Sequence, residues 1–172
     1  MNKDLARTIR RYTIIVLLLI LIILAFIFSN SLLNQMESLE ESNTVGEFFR
    51  PFLEGLFGEE MVTKDFVRKL AHCVEFAALG FATALFCMRK KRVRLQNVSN
   101  CVFVCLAAAV TDESIQIFTG RGPMVQDILL DFASAMALFT VTLILGLLIR
   151  CIFRAIKRKI KAKKEAKKEA KI

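Results

Sequence analysis

The sequence predicts an all-α protein, a four-helix transmembrane bundle with the N- and C-termini in the cytoplasm. Three observations predict it. Apolar residues make up 55% of the 172 positions and the mean hydropathy is +0.51, yet 24% of residues are charged. A chain holds both only if charge is segregated from the apolar runs. Four stretches, about 12–28, 66–88, 98–118 and 126–149, have the length needed to cross hydrocarbon. The basic residues fall in three blocks, each beside an apolar stretch.

The first span, YTIIVLLLILIILAFIF (12–28), is an unbroken apolar run behind the basic arm 1–11, which carries Lys3, Arg7, Arg10 and Arg11. A signal peptide has the same order. This core is longer than a usual signal core, and no small-x-small cleavage site follows, so a retained signal anchor is expected. The outer loop 29–65 contains Val45, Phe48, Phe49, Phe52, Leu56 and Phe57 at three-to-four spacing among glutamates, with Pro51 near a helix start. That pattern fits an interfacial helix on the outer leaflet, and equally a re-entrant lid or packing against the bundle.

The remaining spans are asymmetric. The second has Arg68, Lys69, His72 and Glu75 in its first half and is apolar from Phe76 to Met88. The third begins CVFVCLAAAV and ends with Asp112, Glu113 and Gln116; the fourth begins with Asp127 and Asp131 and is apolar from Phe132. Each reaches full length only if its polar end also lies within the membrane. Residues 12–149 therefore read as one membrane domain, followed by the Lys-rich tail 150–172.

Twenty of the twenty-five Lys and Arg residues lie in the N-terminal arm, the RKKRVR loop and the tail, which places these three segments inside by the positive-inside rule. An even number of spans satisfies that, and four fits. A multi-pass protein of the cell membrane is expected. The tail reads as a solvated topology anchor or as a charged helix on anionic lipid. The five cysteines are odd in number, lie in or beside apolar segments and form no CxxC pair, so they read as small buried hydrophobes. No basic stripe interleaved with aromatics is present, which argues against nucleic acid as a partner.

With that topology the polar groups gather on the outer side. Arg68 and His72, Asp112 and Gln116, and Asp127 and Asp131 are i, i+4 pairs, and His72 and Glu75 are i, i+3, so each pair shares a helix face. Ser29, Asn30 and Ser31 close the first span at the same level, and Arg121 sits in the GRGP turn between the last two spans. An unpaired charge in hydrocarbon costs at least about 2.5–3.5 kcal/mol, so these groups must pair or line a wet cavity. The candidate binding set is Arg68, His72, Glu75, Asp112, Glu113, Gln116, Arg121, Asp127 and Asp131. The competing structural reading is ionic glue, with Arg68, Lys69 and Arg121 paired to Asp112, Asp127 and Asp131.

The stretches RKLAHCVEFAALG (68–80) and TDESIQIFTGRGPMVQDILLDFASA (111–135) resemble the VanZ-like family of bacterial membrane proteins. That family shows an RK-x-x-H-x-x-E-Y/F element, a DE-x-x-Q element with a downstream glycine-arginine turn, and an Asp-bearing start to its last helix. FSNS (28–31) resembles the polar end of its first helix. Phe76 stands where Tyr is common, and Ala133 to Ala135 lack a frequent Gly. The resemblance covers most of 12–149. It implies an association with teicoplanin-type antibiotic resistance, without implying a reaction.

Three functions are compatible with these residues. One is a non-enzymatic protein of the cell envelope that binds or shields membrane lipid, a lipid-linked wall intermediate or part of a lipophilic glycopeptide, with Arg68, Arg121 and His72 on phosphate or carboxylate groups. The second is an intramembrane hydrolase or transferase with His72, Glu75 and Asp112 as candidate acid or base. There a divalent metal would sit among Asp112, Glu113, Asp127 and Asp131; the oxygen-rich set suits Mg²⁺ or Mn²⁺, although no motif supports it. The third is a proton-linked transporter, disfavoured because both inner halves are apolar and four spans would require an oligomer.

Overall fold

The structure, a computed structural model, describes residues 3–32, 50–56, 58–90, 92–119 and 124–169. Four long helices hold most of them: α1 (Lys3–Leu32), α2 (Lys64–Cys87), α3 (Leu95–Phe118) and α4 (Val125–Glu169). The described residues contain no strand. Each of the four helices includes a segment long and apolar enough to cross a membrane.

The helices are antiparallel neighbours, as contacts at both ends of the bundle require. At one end, the last turn of α1 meets the first half of α2 and the end of α3 through Asn30–Glu75 and Ser31–Asp112, and α2 meets the start of α4 through Lys69–Asp127. At the other, Tyr12 Oη donates to the Leu85 carbonyl at 3.3 Å, Cys101 Sγ to the Thr83 carbonyl at 3.4 Å, and Arg150 to the carbonyls of Met88 and Lys90. Arg150 thereby satisfies carbonyls just beyond the end of α2, where intrahelical donors run out. The described parts of the three basic segments start from this second end.

Burial is inverted relative to a soluble bundle. Among the described residues of α1 only Val16, Ile20, Ile27 and Ser31 are buried, while Ile15, Leu18, Leu21, Ile22 and Phe26 face outward. Lipid tails are as apolar as these side chains, so such a surface needs no cover in a bilayer. What the helices share is small residues. Gly80 of α2 lies directly against the Ala135 backbone of α4, and a Cβ there would overlap the Ala135 carbonyl. Cys101, Cys105, Ala108 and Ala109 form the buried stripe of α3. All five thiols are free, and the expectation of buried sulfurs holds for Cys87, Cys101 and Cys105, Cys105 Sγ standing 3.6 Å from Thr83 Oγ1. It fails for Cys73, half-buried, and for Cys151, which is exposed near the basic tail where α4 has left its neighbours.

Two helices run past their expected spans. α1 starts at Lys3, inside the basic arm, and α4 continues through the Lys-rich tail to Glu169. Lys, Arg, Glu and Ala are all good helix formers, so the helix persists where hydropathy ends. α2 is started by Thr63, whose Oγ1 accepts the Phe66 N–H at 3.2 Å. Of the outer-loop amphipathic segment, residues 50–56 are helical, with Leu53 buried, Phe52 and Leu56 exposed, and Arg50 paired to Glu54 at 2.6 Å. Val45, Phe48, Phe49 and Phe57 lie outside the described residues.

Candidate functional site

The stripe that makes α3 pack also places its acids. Cys101, Cys105, Ala108, Asp112 and Gln116 follow one helical face, and the face changes from small apolar to polar at Asp112 without leaving the bundle interior. Asp112 is fully buried. Its Oδ1 accepts a hydrogen bond from Ser31 of α1, and its Oδ2 accepts one from Gln116 Nε2 at 2.8 Å. Its neighbour Glu113 points toward α4, where Oε2 accepts the Met124 N–H at 3.2 Å. A carboxylate at that position also opposes the positive end of the α4 dipole.

From α2, His72 and Glu75 face the same interior, each with 14% of its side chain exposed. Glu75 Oε1 accepts from Asn30 Nδ2 at 2.8 Å. His72 Nδ1 lies 3.8 Å from Glu75 Oε2 and 3.9 Å from Asp112 Oδ2. α4 adds Asp131, 3% exposed, one helical turn from Asp127. A ring nitrogen of His72 and one oxygen each of Asp112 and Asp131 lie within 4.8 Å of one another. One turn nearer the end of the bundle, Lys69 Nζ binds Asp127 Oδ1 at 3.0 Å and Arg68 binds Asp65 at 3.3 Å.

These groups line a narrow recess. Arg68, Lys69, His72, Glu113, Gln116, Asp127, Leu130 and Asp131 form its wall, and its empty volume is about 280 Å³ including the open mouth. The enclosed part has room for a single water-sized body. Such a space admits an ion, a water or one small charged group.

Eight of the nine residues expected from the sequence meet at this end of the bundle; Arg121 lies outside the described residues. Of the ion pairs expected as glue, Lys69–Asp127 is present. Arg68 instead pairs within its own helix, and Asp112 takes neutral donors. Ser31 and Asn30, expected only to share the level of the site, bond directly to Asp112 and Glu75. The sequence signal for them was FSNS, a polar end on an otherwise apolar span. Lys69, expected only as glue, is also part of the recess wall.

Four membrane-length helices with ionisable side chains converging inside one end of the bundle define a class: a membrane protein with four candidate spans and a cluster of ionisable side chains between them. The family model described as VanZ/LLP1 matches residues 14–150. The chain belongs to that family. No curated protein and no solved structure matches it.

Proposed function

We propose that the recess opens to the outer leaflet and binds the charged headgroup of a cell-envelope lipid or lipid-linked wall intermediate. The carrying observation is the recess wall itself, where Arg68, Lys69 and His72 stand beside Gln116 at the mouth of a cluster of buried carboxylates. Lys69 and Arg68 are held by exchangeable partners, Asp127 and Asp65, so an incoming phosphate or carboxylate can share their charge. Placing the site at the outer leaflet follows from the positive-inside distribution, which puts the three basic segments in the cytoplasm. Protection against teicoplanin-type antibiotics would then arise from guarding or altering the lipid-linked target.

The test is twofold. His72→Ala, Glu75→Ala and Arg68→Ala should abolish the resistance phenotype at unchanged protein level, and mass spectrometry of lipid retained by the purified chain should show one headgroup class enriched over the membrane average. Resistance unaffected by all three substitutions, with retained lipid matching the bulk membrane, sinks the reading. An intramembrane hydrolase or transferase is the second reading. One observation favours it, the convergence of His72 with two carboxylates, and it predicts a changed wall precursor in a deletion strain.

A further inference from the structure

At the base of the recess, donor groups from three helices meet: His72 of α2, Asp112 of α3 and Asp131 of α4, their ligand atoms no more than 4.8 Å apart. Among the described residues the local charge is unbalanced. Asp131 is 3% exposed, and among the described residues its carboxylate takes part in no hydrogen bond or ion pair. Glu75 Oε2, 3.8 Å from His72 Nδ1, is also buried without a hydrogen bond among the described residues. The two described cations of the recess are engaged elsewhere, Lys69 with Asp127 and Arg68 with Asp65. A buried carboxylate needs a positive partner, a set of hydrogen bonds or a proton.

We propose that His72, Asp112 and Asp131 bind one divalent first-row transition cation of the zinc or manganese class. The donor chemistry selects this class. One imidazole nitrogen with two carboxylate oxygens suits zinc or manganese, whereas calcium takes six to eight oxygens. Two carboxylates also match the ion's charge. Metal–ligand distances of about 2.0–2.2 Å put the donor atoms of a four-coordinate ion about 3.3–3.6 Å apart, so the triad, now within 4.8 Å, closes by at most about 1.5 Å through side-chain torsions. Asp112 is already oriented by Ser31 and Gln116, the kind of outer support that fixes ligand geometry. Three ligands leave a coordination position free toward the recess, where there is room for a water or one headgroup oxygen. For that last position the inference rests on the headgroup reading above; the cation itself is tested without lipid.

The full chain, purified in detergent without chelator, is assayed for metal by mass spectrometry. It is then stripped and titrated with Zn²⁺, with Mn²⁺ followed by electron paramagnetic resonance, and with Co²⁺ followed by visible absorption. About one equivalent should bind. Affinity should fall about 10-fold or more in His72→Ala and Asp131→Asn and stay unchanged in Glu54→Gln, a pair partner outside the recess. Stripped wild-type protein that keeps its helical spectrum yet takes up none of the three metals overturns the proposal, whether or not the variants fold, and assigns the charge balance to protons. Metal uptake without headgroup enrichment removes the lipid reading and keeps the cation; enrichment without uptake does the reverse.

Discussion

Ser31, in the last turn of α1, donates its hydroxyl to Oδ1 of Asp112 on α3, joining two fully buried residues 81 positions apart. This bond makes the first span part of the site. Replacing Ser31 by Ala leaves Oδ1 buried without its donor. A loss of about 1–3 kcal/mol is expected, read as a lower midpoint in equilibrium unfolding of the purified chain. An unchanged midpoint would mean that water or a cation takes over the hydroxyl's part.

Lys69 and Asp127 form an interhelical pair at 3.0 Å with both side chains largely shielded. Removing either charge strands the other, so Lys69→Met and Asp127→Asn should each destabilise. The double substitution should cost less than the sum of the two. A coupling of about 0.5–2 kcal/mol is expected from a double-mutant cycle, the range found for polar contacts between membrane helices.

Gly80 and Gly55 should respond in opposite ways to Ala. At Gly80 a methyl would collide with the Ala135 backbone, and backbone cannot step aside as a side-chain tip can. Separation of α2 from α4 should cost about 1–3 kcal/mol or more. At Gly55 nothing lies within 4 Å, so Ala should be neutral or stabilising by up to about 1 kcal/mol through helix propensity. Thermal unfolding followed by circular dichroism compares the two directly.

Reporter fusions after Leu95 and at the C-terminus should both report the cytoplasm. Twenty of twenty-five basic residues demand it. A periplasmic or extracellular signal at either point would turn the recess to the opposite leaflet and exclude an outer-leaflet ligand.

The four helices were legible in the sequence because the signals behind them are local. Apolar length, basic flanks and the i, i+4 recurrence of Arg68 with His72, Asp112 with Gln116 and Asp127 with Asp131 need no knowledge of neighbours. A hydrophobic run must be helical in lipid, where the backbone finds no other hydrogen-bond partner. That the polar residues share one end of the bundle followed from counting spans.

Which residue meets which was decided only by the tertiary structure. Arg68 turns to Asp65 and leaves Lys69 to take Asp127; Asp112 chooses Ser31 and Gln116 over a cation; Glu75 takes Asn30; and Asp131 is left beside His72. Each choice depends on helix rotation and separation, and these are set by close packing such as Gly80 on Ala135. No periodicity within a single helix encodes them. The four-helix architecture is thus a property of hydropathy along the chain. The convergence of His72, Asp112 and Asp131 is a property of how closely three of those helices pack.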